Sequence, residues 1–217
     1  MKVPFEVIFN DECLIVVNKI AKILIQPSGR NKEPILSDLI EKEIGQKVFP
    51  CHRLDRETSG LIIYAKSKNV QDNIMDQFRA RKVEKKYIAF IKGRVKKKKG
   101  LLKGYIIDRE GEIFGEKKKE AKTVYETIKE FNEWSVVELK PLTGRTNQLR
   151  IQLANIGHPI LGESKYAFRR DFKVKFKRLA LHAFYLSFIH PLSGEKIRIS
   201  IDLALDMSEF LKKGVGK

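Results

Sequence analysis

Apolar runs of strand length outnumber runs of helical spacing in this chain, and they follow one another without regular alternation. The hydrophobic pattern predicts strands over residues 6–9, 14–18, 61–65, 86–92, 103–107, 121–128, 135–141, 179–188 and 196–201. It predicts a helix over 69–81, where Val70, Ile74 and Phe78 fall at i, i+4 and i+8. A second is expected over 146–156, with Leu149, Leu153 and Ile156 on one face and Gly157 past its end. A third is expected over 207–213. A parallel sheet needs a long crossover between successive strands. Strands in direct succession instead imply α+β, with a mixed and mostly antiparallel sheet. The 217 residues suit a single domain over 1–217, with 211–217 as a frayed tail. Neither Gly-x-Gly-x-x-Gly nor a Walker loop is present, so a nucleotide cofactor has no visible seat.

The charge is uneven. The formal net charge is +17, and it sits in two stretches. Residues 66–103 hold 14 Lys/Arg against 3 Asp/Glu, and residues 165–178 hold 7 against Asp171 alone. Cations gathered in this way suit a polyanion, since each neutralised phosphate releases counterions. Nucleic acid is the first partner to expect and an acidic membrane surface the second. The longest apolar runs are far too short to span a bilayer, and the N-terminus lacks the apolar core of a secretory signal. Two cysteines, Cys13 and Cys51, make no disulfide framework and read as thiols of a reducing cytoplasm. His52, His158, His182 and His190 are widely spaced, so no metal site is expected.

Three segments could carry chemistry. Residues 52–60 form the densest polar cluster, feeding the apolar strand at 61–65. Asp55 lies there between Arg53 and Arg56, whose charges favour its ionised form. It could equally cap a turn built on Thr58, Ser59 and Gly60. The second segment covers residues 142–150. Thr146 is a candidate N-cap whose neighbouring N–H groups could hold a phosphate. Asn147 and Arg150 lie three residues apart on the helix, and Arg150 could take a carboxylate bidentately. Arg145 and Arg150 could also be plain exposed helix residues. In the third segment, residues 85–90, Tyr87 shares a strand face with Ala89 and could stack on a base or sit half-buried in the sheet.

Together these segments resemble the RluA-like branch of the pseudouridine synthases. That branch carries His-Arg-Leu-Asp, two variable residues and Thr-Ser-Gly before an apolar strand, as residues 52–65 do. Lys85 and Lys86 with Tyr87 and Ala89 fit its Lys-x-Tyr-x-Ala element. Residues 143–150 and 157–162 fit the next two elements, and residues 178–183 and 188–191 the closing ones. The chain departs from the pattern at Asn147 and Gln152, where His is usual, and at Glu163, where Asp is usual. Lys19-Ile20-Ala21-Lys22 stands for Lys-Pro-x-Gly, and Gln26-Pro27 for His-Pro.

The resemblance implies the pseudouridine synthase fold with flanking helices and a central cleft. It implies conversion of uridine to pseudouridine in tRNA or ribosomal RNA by a monomer, in the cytoplasm, without cofactor or metal. Asp55 would be the catalytic carboxylate, attacking C1′, attacking the ring or taking the 2′ proton. Arg150 would pair with Asp55, and Tyr87 would stack on the uracil. Leu181 would line the pocket and Arg53 would take a phosphate or the gap left by the flipped base. Arg145 and Gln148 complete the substrate-binding candidates. No room is expected for the S4-type RNA-binding domain that many family members carry. The alternatives are a basic RNA-binding module without turnover and, less favoured for want of a second carboxylate and an admitted water, an RNA N-glycosidase.

Overall fold

The computed structural model describes residues 4–26, 35–108, 117–168, 170 and 172–214. These divide into two compact units: the first holds the chain up to Lys85 together with residues 182–205, the second residues 86–181 with the chain from Asp206.

In the first unit, β1 (Phe5–Asn10) and β2 (Leu14–Lys19) form an antiparallel hairpin. Strand β2 pairs antiparallel with β4 (Ser59–Ala65), which also takes the short β3 (Phe49–Pro50). Strand β9 (Leu181–Ile189) runs parallel to β4 at Ser59↔His182 and Gly60↔Ala183, and β10 (Lys196–Ser200) closes antiparallel on β9. Residues 61–65 are all fully buried, which is why that strand reads as unbroken apolar sequence. Helix α2 (Lys68–Arg79) starts at Ser67, whose hydroxyl accepts from the Val70 N–H. Its Val70 and Ile74 pack with Leu14, Val16, Leu61 and Ile63. Burial of each such side chain contributes about 1.5–3 kcal/mol.

Helix α1 (Leu36–Ile44) is an element that the pattern reading passed over. Leu36 and Ile40 are buried four residues apart, and Gly45 ends the helix at φ 67°. Ile35 stands at its N-cap and supplies no side-chain bond, so the usual start signal is absent.

In the second unit the strands follow the order β5 (Glu84–Lys92), β8 (Trp134–Pro141), β7 (Lys117–Glu130), β6 (Lys99–Asp108), all antiparallel. The predicted strands at 103–107 and 121–128 lengthen into a ribbon whose outer ends are lysine-rich. Helix α3 (Gln148–Asn155) covers one face of this sheet. Helix α4 (Leu205–Gly214) corrects the expected tail at residues 211–214, while 215–217 lie outside the described residues. The helix persists because Phe210 joins Phe90, Trp134 and Phe176 at centroid distances of 5.9, 5.1 and 5.1 Å. Its last residue, Gly214, lies so close to Trp134 that a Cβ would stand 2.7 Å from the ring.

Candidate active site

The Asp55 turn is held at both ends. The Asp55 carbonyl accepts from the Thr58 N–H at 3.0 Å, closing a turn over Arg56 and Glu57, while Ser59 and Gly60, expected within the turn, open strand β4 instead. Beneath it lies Lys19, fully buried, whose Nζ donates to the carbonyls of Ile20, Ile23 and Arg56 at 3.0, 3.1 and 3.3 Å. The Lys22 N–H reaches the same Arg56 carbonyl at 2.6 Å. Lys22 holds φ 71° where the family pattern has glycine, a conformation that disfavours its side chain. Downstream, Ser59 Oγ lies 2.9 Å from His182 Nδ1, and His182 Nε2 lies 3.0 Å from the Asp202 carbonyl. A carbonyl only accepts, so Nε2 carries the proton and Nδ1 accepts from the Ser59 hydroxyl. Gly60 then presses on β9: at φ 118° its Cβ would stand 2.2 Å from the Ala183 carbonyl oxygen, so no other residue fits. Asp55 is half-buried in this frame, and Arg53 is exposed.

His52 anchors the upstream end. Its Nε2 accepts the Ile63 N–H at 3.1 Å, and its ring lies 4.9 Å from Phe78. Burial, and then the nearby charge of Lys85, pushes its pKa down to about 3. Burial also brings Lys85 down to about 8. Between about pH 3 and 6.5 the unfolded chain binds the proton that folded His52 refuses. The stability this gives is full above pH 6.5 and falls as the pH drops through that window. Urea unfolding from pH 7 to 4 is expected to show a steeper loss for the wild type than for His52→Gln, which keeps the acceptor without titrating. Equal slopes would refute this.

In the second unit Tyr87 is buried on β5, opposite Leu139, which is opposite Tyr125 on β7. Directly paired residues share a face. Gln148 and Gln152 of α3 bond Thr123 on that same face, so Tyr87 and the helix bearing Arg150 lie on one side of the sheet. Leu181 is buried at the start of β9, its N–H bonded to the Leu179 carbonyl.

The 143–150 segment differs from the expected cap. Asn147, not Thr146, is the N-cap, and it sits in the left-handed region at φ 54°. The Gln148 N–H closes a turn on the Arg145 carbonyl, and the Arg145 N–H donates to Gln148 Oε1 at 3.1 Å. Those two N–H groups are thus occupied internally, which removes them from the expected phosphate cradle. Gln148 is a buried brace: Nε2 donates to the Lys122 carbonyl and Thr123 Oγ1, and Oε1 also accepts from Thr143 Oγ1. Arg145 donates through Nε to the Glu120 carbonyl.

Arg150 is buried, with Nε and Nη2 each 2.7 Å from an oxygen of Glu163 and Nη1 3.0 Å from Asn147 Oδ1. Its guanidinium also lies over the Tyr166 ring at 5.3 Å. Glu163 Oε1 accepts from the N–H groups of Ser164, Lys165 and Tyr166. Burial opposes ionisation of Glu163, yet Arg150 and these N–H groups outweigh it and hold the carboxyl below its ordinary range. Gly162, at φ 80° and against the Arg178 carbonyl, fixes the approach to Glu163. Sequence reasoning met Glu163 only as a departure from Asp, and missed it as the partner of Arg150. An acid 13 residues after a helical Arg gives no local signal.

Asp11, Cys13 and His190 also cluster, their ligand-type atoms within 4.8 Å of one another. His190 Nδ1 accepts the Ser193 N–H, which puts the ring proton on Nε2, facing Asp11 Oδ2 at 2.8 Å and Cys13 Sγ at 3.3 Å. A metal-bound imidazole donates from its other nitrogen. Burial, and then the Asp11 charge, raises the Cys13 pKa to about 11. The cluster is therefore a hydrogen-bonded pin between the two hairpins of the first unit.

The family described as RNA pseudouridylate synthase matches residues 13–155. A tRNA pseudouridine synthase C of Vibrio parahaemolyticus is 33% identical, covering 92% of each chain. A ribosomal large subunit pseudouridine synthase C of Haemophilus influenzae is 31% identical over 96% of this chain and 68% of its own. The solved structure of human RNA Pseudouridylate Synthase Domain Containing 1 covers the whole chain with a TM-score of 0.77 at 23% identity, a likeness of fold. The α+β architecture, the ordered motifs and these matches agree: the chain belongs to the RluA-like branch of the RNA pseudouridine synthases.

Proposed function

We propose that this chain isomerises uridine to pseudouridine in tRNA, with Asp55 as the catalytic carboxylate. The observation that carries the choice of RNA is the extent of the match. The Vibrio parahaemolyticus relative named for tRNA aligns over 92% of both chains, whereas the ribosomal relative has about a third of its length outside the alignment. In the reaction the N1–C1′ bond breaks, the uracil turns, C5 bonds to C1′, N1 ends protonated and the C5 proton leaves to solvent. Nothing is oxidised or reduced, and the uracil is both leaving group and returning nucleophile. A base inside a helix must be flipped out first, at about a few kcal/mol.

By the resemblance, Arg150 is the arginine that the family pairs with its catalytic carboxylate, and Glu163 and Asn147 hold its guanidinium in place. Tyr87 and Leu181 offer apolar surface to the uracil, and Arg53 and Arg145 offer charge to the phosphates. Gln148 acts through the loop it braces, since both its donors and its acceptor oxygen are engaged within the protein. The protein works as a monomer in the cytoplasm. Among the described residues no helix is long and apolar enough to cross a membrane.

Tritium release from [5-³H]uridine-labelled transcripts tests the reading. Release is expected from unmodified tRNA. Release from large-subunit ribosomal RNA alone would overturn the choice of substrate, and none from either RNA, with binding intact, would overturn the isomerase.

A further inference from the structure

Strand β6 ends the strand order of the second unit, and among the described residues no strand pairs with its outer edge. The side chains of the β6–β7 ribbon alternate cleanly. Leu102, Ile106, Ala121, Thr123 and Tyr125 are buried on the face covered by α3. The opposite face carries Leu101, Tyr105 and Ile107, of which Tyr105 is 69% exposed. An apolar face on a free edge invites unwanted pairing unless something occupies it.

The charges on that face identify the occupant. Lys103 stands directly opposite Lys122, and Lys118 directly opposite Ile107. Glu120, opposite Tyr105, is paired with Lys122 Nζ at 2.7 Å, so its charge is offset. Among the described residues no ion pair is found for Lys103 or Lys118. An exposed aromatic ring on a sheet face, flanked by cations, is the arrangement that holds single-stranded nucleic acid: the base stacks and the phosphates meet the lysines. Tyr87 points to the other face of this sheet, so the ribbon is separate from the place of the reacting base.

We propose that the outward face of the β6–β7 ribbon is a second RNA-contact surface, where Tyr105 stacks on an unpaired base outside the target uridine and Lys103 and Lys118 take the adjoining phosphates. The inference rests on the reading of the chain as an RNA enzyme.

Binding of the full-length protein to unmodified tRNA transcript tests it. Tyr105→Ala is expected to weaken binding about tenfold, and Tyr105→Trp to retain it. The double variant Lys103→Gln/Lys118→Gln is expected to flatten the plot of log affinity against log salt by about 1.5. Tritium release in a single turnover at saturating RNA should match the wild type in all three. Unchanged affinity in Tyr105→Ala overturns the proposal. So does a saturating rate that falls as far as the affinity, or sedimentation showing that the wild type self-associates through this face and the variant does not. If the wild type releases no tritium and Tyr105→Ala still binds weakly, the isomerase reading fails and the surface stands. If the wild type turns over and Tyr105→Ala binds normally, the reverse holds.

Discussion

Asp55→Asn is expected to abolish tritium release, by at least about 10³-fold, while RNA affinity stays within about twofold. Asparagine matches aspartate in shape but cannot ionise, so any role that needs a carboxylate is lost. The turn itself should survive, because it closes through the Asp55 backbone carbonyl and the Thr58 N–H. Lys19 and the Ser59–His182 bond hold its flanks without using the Asp55 carboxylate. The variant therefore separates chemistry from folding. A single-turnover assay beside a filter-binding titration decides the matter: substantial release by Asp55→Asn would mean that another residue is the catalytic carboxylate.

The second large effect is expected at Glu163. Its side chain is fully buried and its partner Arg150 nearly so. Breaking such a pair from one side leaves a charge in the interior without its counter-ion, at about 3–5 kcal/mol. Glu163→Gln is expected to lower the thermal midpoint by about 10 °C. The amide also places N–H groups against donors, since both Glu163 oxygens accept in the native protein. Glu163→Asp keeps the charge on a shorter arm and should recover part of the midpoint. At temperatures where all three proteins are folded, tritium release should fall in Glu163→Gln and return partly in Glu163→Asp, with RNA affinity little changed. The sign with pH follows as well. The Glu163 carboxyl is held below its ordinary range, so its contribution is present above that range and lost in acid. Glu163→Gln should lose that part of the acid sensitivity. A midpoint within about 2 °C of the wild type would show that the pair does not hold Arg150 in place.

Much of this was legible from residue patterns. The strand at 61–65 announced itself because it is buried on both faces, and α2 because Val70 and Ile74 keep helical spacing. The Asp55 turn was readable because its closing bond spans three residues. What escaped were contacts set by tertiary structure. Asn147 takes the cap position in a left-handed conformation that Thr146 suggested no reason for. Lys19 looked like one cation among 44, and only the three carbonyls around its Nζ mark it as internal. Lysine is almost never fully buried, so composition argued the other way. Helix α4 runs into residues whose glycines and lysines suggested fraying, because aromatic contacts outweigh local propensity there.

The bond between Ser59 and His182 joins positions 123 residues apart. The parallel pairing of β4 with β9 spans the same distance, and residues 86–181 of the second unit lie between them in sequence. Contacts of such long range close late, because the chain between them must first be ordered. During synthesis, Asp55, Tyr87 and Arg150 all emerge before β9 exists. A chain at that stage carries every proposed catalytic side chain but lacks one wall of the turn that aims the carboxylate. Competence is thus expected to arrive with the closing strand rather than with the proposed catalytic residues.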